Sequence, residues 1–185
     1  MSRREQILET AAELFARRGF HGVSVAEIGA ACGVSGPALY KHFAGKDEVL
    51  AEMLVSISER LLSEGTRRVS SAGSPADALS ALVDWHIEFA LGHPSLIVVQ
   101  DRDWSSLPED ARERVRALQR EYVDLWAAQL RAREAGLDLE EARAMAHVSF
   151  GLINSTPHSA LLHDTAMSRL LRTMALRALG VVIDY

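Results

Sequence analysis

The sequence predicts an all-α protein of about nine helices on the basis of three observations. Apolar residues recur every three or four positions over most of the chain, which is the spacing of one buried helical face. Serine, proline and glycine interrupt this pattern at intervals that suit helix ends. No stretch alternates apolar and polar residues between turn signals, as a half-buried strand would. We therefore expect a small N-terminal helical head followed by a larger helical body.

The first two helices have recognisable ends in the sequence. Gly19 provides a C-terminal stop for the first helix, over 3–18. Ser24 stands three residues before Glu27, a capping-box arrangement that predicts the start of a second, short helix. The apolar residues of the first helix lie at i, i+4, i+7 and i+8: Ile7, Ala11, Leu14 and Phe15.

A glycine turn separates the second helix from a third. Gly33 permits a sharp turn because glycine adopts backbone conformations that other residues avoid. Ser35 is expected to cap the third helix, and Pro37 occupies an early position where no N–H is needed. Leu39 and Phe43 lie four residues apart on the packing face of this helix. A short helix, a glycine turn and a second helix form a helix-turn-helix, which seats its second helix in the major groove of DNA.

The outward-facing side chains of the third helix are candidates for DNA contact. Gly36 and Ala38 are small enough for the backbone to approach base edges, whereas Lys41 and His42 can donate hydrogen bonds to phosphates or purines. The outward-facing set is Ser35, Gly36, Pro37, Ala38, Tyr40, Lys41 and His42.

Further helices follow the head. A fourth helix is predicted at about 46–63, where it connects head and body, and a cluster of Gly, Thr, Ser and Pro over 65–75 predicts a loop. The remaining helical segments are 75–91, 94–103, 107–135, 138–162 and 165–179. We assign residues 1–47 to a DNA-binding domain and residues 48–185 to a ligand-binding and dimerisation domain.

Composition and charge restrict the class of protein. The chain has 48% hydrophobic and 24% charged residues, as an ordinary folded protein does. The net charge of -5 argues against a nonspecific nucleic-acid coat protein, yet residues 1–50 carry as many basic as acidic residues and so permit DNA binding. Cys32 has no cysteine partner, and we find no signal peptide and no apolar run of the ~20 residues that span a membrane. We expect a cytoplasmic protein with no membrane partner.

The run AAELFARRGFHGVSVAEIGAACGVSGPALYKHFAGKDEVL resembles the N-terminal head of the tetracycline-repressor (TetR) family. The resemblance covers roughly residues 3–54 and holds without a gap in spacing. It implies an all-α fold, a variable body that binds a small ligand, and a homodimer that binds double-stranded DNA. Twofold symmetry would place two reading helices about one DNA turn apart and predicts a palindromic operator.

The same resemblance implies roles for residues of the head. Ser24, Tyr40, His42 and Lys46 match phosphate-contacting positions of the family, and Lys41 matches a base-reading position. Gly36 departs from the family pattern, because many relatives carry a longer polar residue there, so the bases that are read stay open.

The body supplies candidates for an effector pocket, since such pockets are lined by aromatic side chains with a few polar groups. The candidate ligand contacts are Trp85, His86, Phe89, Gln100, Trp104, Tyr122, Trp126, Phe150, Asn154 and His158. The segments HPSLIVVQDRDWSSLPEDARERVRALQREYVDLW and GLINSTPHSA resemble a branch of the family that controls fatty-acid, acyl-CoA or sterol catabolism, which implies an acyl-type or other bulky hydrophobic effector. Small and apolar residues of the last two helices suit a four-helix dimer interface.

Other interpretations stay open. An enzyme is disfavoured because no metal-ligand, phosphate-loop or dinucleotide motif is present, so we expect no catalytic residues, metal or cofactor. A purely structural helical bundle would fit the body alone. Arg3 and Arg4 either reach the DNA backbone or are solvated, and Cys32 is either a small buried residue or a redox sensor. A repressor that its effector releases from DNA is preferred over an activator or a corepressor-dependent repressor.

Overall fold

The computed structural model describes residues 2–34, 36–159 and 161–181, and this part of the chain is all-α, as predicted. No strand occurs in these three ranges. Two 3-10 turns lie at Trp104–Ser106 and Thr156–His158. The α-helices are α1 (Arg3–Arg18), α2 (Val25–Ala31), α3 (Gly36–Leu39), α4 (Lys46–Ser70), α5 (Pro75–Gly92), α6 (Pro94–Asp103), α7 (Glu109–Arg133), α8 (Leu139–Ile153) and α9 (Asp164–Ala178).

The chain forms two compact units. The first unit comprises Met1–Ser58 and Ser95–Arg116, and the second unit comprises Glu59–Pro94 and Ala117–Tyr185. Helix α4 contributes residues to both units. The functional division at residue 47 stays a prediction.

The first unit is built on one apolar core. Helices α1 to α4 supply most of its buried side chains, and α6 and the start of α7 complete it. The fully buried side chains of this core include Ile7, Phe15, Ile28, Leu39, Phe43, Leu50, Leu54, Val99 and Leu107. The core of the predicted head thus includes residues that lie more than forty positions farther along the chain.

In the second unit, α5 packs against α8 and α9, and α8 packs against α9. Helix α7 adds the fully buried Trp126. The other buried apolar residues of this unit include Leu79, Leu82, Val83, Ile87, Leu130, Ala142, Ala146, Ile153, Leu171 and Ala175.

Helix α4 continues to Ser70, beyond the predicted end at 63. The hydroxyl groups of Thr66 and Ser70 donate to the carbonyl groups of Leu62 and Thr66, at 2.8 and 2.9 Å, so these residues bond within the helix instead of forming a loop. Gly65 allows the ring of Tyr122 to pack closely against the α4 backbone, since a Cβ at this position would lie 2.8 Å from Cε2 of Tyr122. The predicted loop is therefore confined to the residues after Ser70.

Helix α8 ends at Ile153, well before the predicted end at 162. Pro157 lies in the 3-10 turn that follows, and a proline cannot continue an α-helix because it lacks the N–H and clashes with the preceding turn. In the described ranges, every helix is too short or too polar to cross a bilayer.

Candidate functional site

The start of α2 is fixed by a reciprocal cap. The Ser24 hydroxyl accepts a hydrogen bond from the backbone N–H of Glu27 at 3.2 Å, and the Glu27 carboxylate accepts from the backbone N–H of Ser24 at 2.8 Å. Arg18 also pairs with Glu27, at 2.7 Å. The Ser24 hydroxyl, the Ser24 backbone N–H and Arg18, in decreasing order, lower the pKa of Glu27 to about 2. The predicted capping box is therefore present, with Ser24 exposed at the surface.

The turn between α2 and α3 depends on Gly33. Its φ of 68° lies in the left-handed region, whereas a Cβ added there would meet no atom within 4 Å. The requirement for glycine is thus conformational and not steric. Ser35, the expected cap of α3, lies outside the described residues. Helix α3 spans only Gly36–Leu39, and Leu39 and Phe43 are buried as predicted and hold this segment in place.

The outward side of this segment is accessible. Tyr40 is 56% exposed, Pro37 and Lys41 are also exposed, and Ala38 and His42 are half-buried. The packing face and the outward face are therefore divided as the spacing predicts. Contact of these residues with DNA stays a prediction, as does that of Gly36 at the start of α3.

Lys46 has a structural partner. Its ammonium group donates to the carbonyl groups of Phe20 and Val23, at 3.0 and 3.2 Å, and lies 4.4 Å from the centroid of the Phe20 ring. These contacts tie the start of α4 to the loop before α2. One of the three N–H bonds of the ammonium group is left for the predicted phosphate contact.

The two N-terminal arginines are bound within the first unit. The Arg4 guanidinium donates to the Glu52 carboxylate at 2.6 Å and to the carbonyl group of His42, and it lies 4.2 Å from the centroid of the Phe43 ring. Arg3 donates to the carbonyl group of Cys32 at 2.7 Å. Arg4 thus positions the segment after α3, a role that the sequence did not indicate.

A second positioning pair lies at the end of α6. Arg102 donates to the carbonyl groups of Phe15 and Ala16 at the end of α1, the latter at 3.0 Å. Asp103, which is 6% exposed, accepts a hydrogen bond from the backbone N–H of Phe20 at 3.2 Å. Arg102 thus satisfies the Ala16 carbonyl group and adds a second donor to the Phe15 carbonyl group, which already accepts from the Gly19 N–H, while Asp103 satisfies the N–H of Phe20. No local sequence signal predicts this pair, because its partners lie more than eighty residues away.

The predicted ligand contacts are not all gathered in one place. Gln100 and Trp104 belong to the first unit, and Trp104 packs on its core. His158 is exposed. The Trp85 indole N–H donates to the carbonyl group of Leu61 at 3.1 Å. The remaining candidates, His86, Phe89, Tyr122, Trp126, Phe150 and Asn154, lie together in the second unit.

Four of these residues, His86, Tyr122, Trp126 and Phe150, form what we call the aromatic cluster. The ring of Phe150 stacks on His86 with centroids 4.7 Å apart and on Tyr122 with centroids 5.5 Å apart. Trp126 meets Phe150 edge to face at 5.0 Å. Helices α5, α7 and α8 thus each contribute to one packed aromatic group.

Three polar atoms of the aromatic cluster are buried and make no hydrogen bond of standard geometry among the described residues: His86 Nδ1, Tyr122 Oη and Trp126 Nε1. His86 Nε2 lies 3.1 Å from Asn154 Oδ1. Burial lowers the pKa of His86 to about 4, and the Asn154 hydrogen bond opposes this shift only in part. Burial also raises the pKa of Tyr122, and the nearby Trp126 N–H opposes this shift only in part. Both side chains are therefore uncharged near neutral pH.

One face of α8 and α9 exposes apolar residues. Val148 is 65% exposed, and Leu170 and Met174 are 44% and 47% exposed. Gly151 is also exposed, and a Cβ added there would meet no atom within 4 Å. We call Val148, Gly151, Leu170 and Met174 the α8–α9 face. In the described part of the chain, no three histidine, cysteine, aspartate or glutamate side chains are grouped as metal ligands.

Two family models match the chain. Residues 7–53 match the model for bacterial regulatory proteins of the tetR family, and residues 72–158 match a tetracyclin repressor-like C-terminal domain. The chain is 31% identical over 111 residues to the HTH-type transcriptional repressor KstR2 of Mycobacterium tuberculosis, an alignment that covers 60% of this chain and 56% of that protein. The chain thus spans little more than half the length of this curated relative.

Solved structures share the fold over nearly the whole chain. A TetR-family transcriptional regulator from Bordetella parapertussis is 25% identical, with a TM-score of 0.82 and 98% of each chain covered. The structure of AibR in complex with isovaleryl coenzyme A and operator DNA is 22% identical, with a TM-score of 0.76, and covers 94% of this chain and 97% of AibR.

Proposed function

Because the chain belongs to the tetR family of bacterial regulatory proteins, we propose that it is a ligand-responsive transcription regulator that binds double-stranded DNA. The observation that carries this proposal is the exposure of Tyr40 and Lys41 on a segment whose other side is anchored by the buried Leu39 and Phe43. Such a segment presents a fixed set of side chains to a major groove. The chain acts as a regulator and not as an enzyme, and binding to chromosomal DNA requires that it act in the cytoplasm.

The DNA surface combines base and phosphate contacts. Lys41 reads bases, while Tyr40, His42 and the remaining N–H of Lys46 contact phosphates. Ser24 is exposed at the start of α2, and its hydroxyl, which donates to the Glu27 carboxylate at 2.7 Å in the free chain, turns to a phosphate when DNA binds. The small residues Ser35, Gly36, Pro37 and Ala38 allow the backbone to approach the groove closely.

The protein acts as a homodimer through the α8–α9 face. An exposed apolar surface on two neighbouring helices is stabilised when a second copy covers it, and the glycine at 151 leaves room for a close helix contact. Two heads related by twofold symmetry would then bind the halves of a palindromic operator. Met174→Glu should convert the dimer to a monomer in analytical ultracentrifugation, whereas a dimer of unchanged affinity would contradict this interface.

The effector binds in the second unit at the aromatic cluster. Uncharged buried side chains favour an apolar effector, and AibR, which is bound to isovaleryl coenzyme A, supports an acyl-type molecule. We infer that the effector releases a repressor from its operator. Reciprocity then requires that operator DNA weaken effector binding by the same factor.

Selection of bound sequences from a random DNA pool tests the DNA-binding activity. We expect a palindromic consensus, and we expect Lys41→Ala to weaken binding to it and to relax base preference. Arg17→Ala is the matched control, because it also removes one exposed positive charge from the first unit, but from α1, which carries none of the predicted DNA contacts. Equal losses in the two variants, or no enriched sequence, would refute the assignment.

A further inference from the structure

The three unpartnered atoms of the aromatic cluster are unusual in a protein interior. A buried polar group without a hydrogen bond is destabilising, and most buried polar groups in folded proteins have partners. Here three lie on side chains whose ring centroids are within 6.1 Å of one another. His86, Tyr122 and Trp126 are at most 5% exposed, so bulk water does not reach them.

The hydrogen-bonding capacity of these atoms is defined by their chemistry. Trp126 Nε1 is a donor only, and Tyr122 Oη both donates and accepts. His86 Nε2 faces the Asn154 carbonyl oxygen and so carries the proton, which leaves Nδ1 of the neutral ring as an acceptor. The aromatic cluster therefore offers one donor, one acceptor and one group that can act as either.

We propose that the aromatic cluster binds the polar end of the effector, and that this end is an uncharged hydroxyl or carbonyl oxygen on an otherwise apolar molecule. The proposal rests on the proposed function, since it specifies the effector of the same regulator. A hydroxyl group can donate to His86 Nδ1 and accept from Trp126 and Tyr122. A carbonyl oxygen, including that of an acyl thioester, accepts from Trp126 and Tyr122.

A free carboxylate does not fit this site. Transfer of a charge into a buried apolar environment is costly unless a counter-ion accompanies it. Arg68 is the cation whose charge reaches Tyr122, and it is already paired with Glu64 and Glu88, both at 2.9 Å. The aromatic cluster thus selects uncharged oxygen groups over carboxylates.

Binding of matched probes to the full-length protein without DNA tests the proposal. Two series of probes are used, each with one apolar body and three polar ends. The linear series is dodecyl alcohol, methyl decyl ketone and dodecanoate, and the bicyclic series is decalol, decalone and decalin carboxylate. Binding is measured by tryptophan fluorescence. We expect an alcohol or ketone to bind at least about tenfold more tightly than the carboxylate with the same body. Carboxylates that bind as tightly, or no binding by any alcohol or ketone, would overturn the proposal.

Two hydroxyl deletions in the second unit provide the matched variants. Tyr122→Phe removes an unpartnered hydroxyl, so we expect an unchanged or higher melting temperature and about tenfold weaker binding of the preferred probe. Thr156→Val removes a buried hydroxyl that donates to the carbonyl group of Ala90 at 3.2 Å, so we expect a lower melting temperature and unchanged probe binding.

If an ordered water satisfies the three atoms instead, Tyr122→Phe will leave probe affinity unchanged, and the proposal fails. Operator binding is measured separately on the same variants. If the protein binds its operator but none of the probes, the proposed DNA-binding function is supported and the proposed effector site is contradicted. If the protein binds the probes through Tyr122 but binds no DNA, the proposed effector site is supported and the proposed function is contradicted.

Discussion

The two units differ in how far their buried polar side chains are paired. In the first unit, the buried Asp103 accepts from the backbone N–H of Phe20, and Arg102 donates to the end of α1. In the second unit, polar atoms of His86, Tyr122 and Trp126 are buried without partners. Buried polar groups that are paired stabilise one conformation, whereas unpaired groups retain the capacity to bind something else. The first unit also has one unpartnered buried atom, Arg112 Nε, but the same guanidinium donates through Nη2 to the carbonyl group of Leu107 at 2.8 Å. Among the described residues, several such atoms lie together only in the aromatic cluster.

The largest expected effect is the response of the second unit to acid. The folded-state pKa of His86 is lowered to about 4 from 6.5, so the unfolded chain takes up a proton at higher pH than the folded one. The contribution of neutral His86 to stability is complete above pH 6.5 and is lost as the pH falls through 4, at a cost of about 3 kcal/mol. Urea unfolding of the wild type and of His86→Phe at pH 7.5 and at pH 4 measures this loss of stability.

Other groups titrate equally in both proteins, so their effects cancel in that difference. The wild type should lose about 3 kcal/mol more than His86→Phe between the two pH values. Parallel losses would mean that His86 is not held neutral, and the contrast between the two units would disappear.

A smaller effect is expected from Arg102→Ala in the first unit. The substitution removes hydrogen bonds to the carbonyl groups of Phe15 and Ala16 and leaves the buried Asp103 without its neighbouring cation. We expect the free energy of unfolding to fall by about 2 kcal/mol, as measured by urea unfolding at neutral pH. Arg116→Ala serves as control, because its contacts are loose: its ion pair with Glu109 is 3.8 Å long and half exposed, and its guanidinium lies 5.6 Å from the centroid of the Trp104 ring. A loss no larger than that of the control would contradict the view that paired polar groups hold the first unit together.

Removal of the cap of α2 should have a still smaller effect. Ser24→Ala deletes the hydroxyl that bonds to Glu27, and loss of an N-cap typically costs about 1 kcal/mol. The same change should raise the pKa of Glu27 from about 2 toward its ordinary value, since the hydroxyl is the largest cause of the shift. Carboxyl chemical shifts followed against pH by NMR would detect this. Ser63→Ala, on the exposed side of α4, provides a serine control outside the cap. An unmoved Glu27 pKa would show that the capping box does not persist in solution.

Local signals made the helix-turn-helix predictable. The Ser24 cap, the Gly33 turn and the packing pair Leu39 and Phe43 lie within twenty residues, so their spacing alone defines the geometry. The end of α4 was missed because Gly65 was interpreted as a loop residue, although its role is close packing against Tyr122.

The aromatic cluster was predictable only as a set of residue types. Its side chains come from α5, α7 and α8, and no sequence spacing states which aromatic residues of distant helices meet. Gln100, Trp104 and His158 carry suitable chemistry yet lie elsewhere. The pairing of Arg102 with the end of α1 was missed for the same reason, because the tertiary fold and not the local pattern creates that contact.

The smallest expected effect concerns the exposed ion pair of α1. Arg17 pairs with Glu13 at 2.9 Å, but both side chains are more than 60% exposed. Arg17→Ala should therefore change the free energy of unfolding by less than about 0.5 kcal/mol, and added salt should reduce even this difference. Urea unfolding at low and high salt is the measurement. A loss as large as that of Arg102→Ala would show that charge itself, and not the burial of its partners, determines what a polar contact contributes to the first unit.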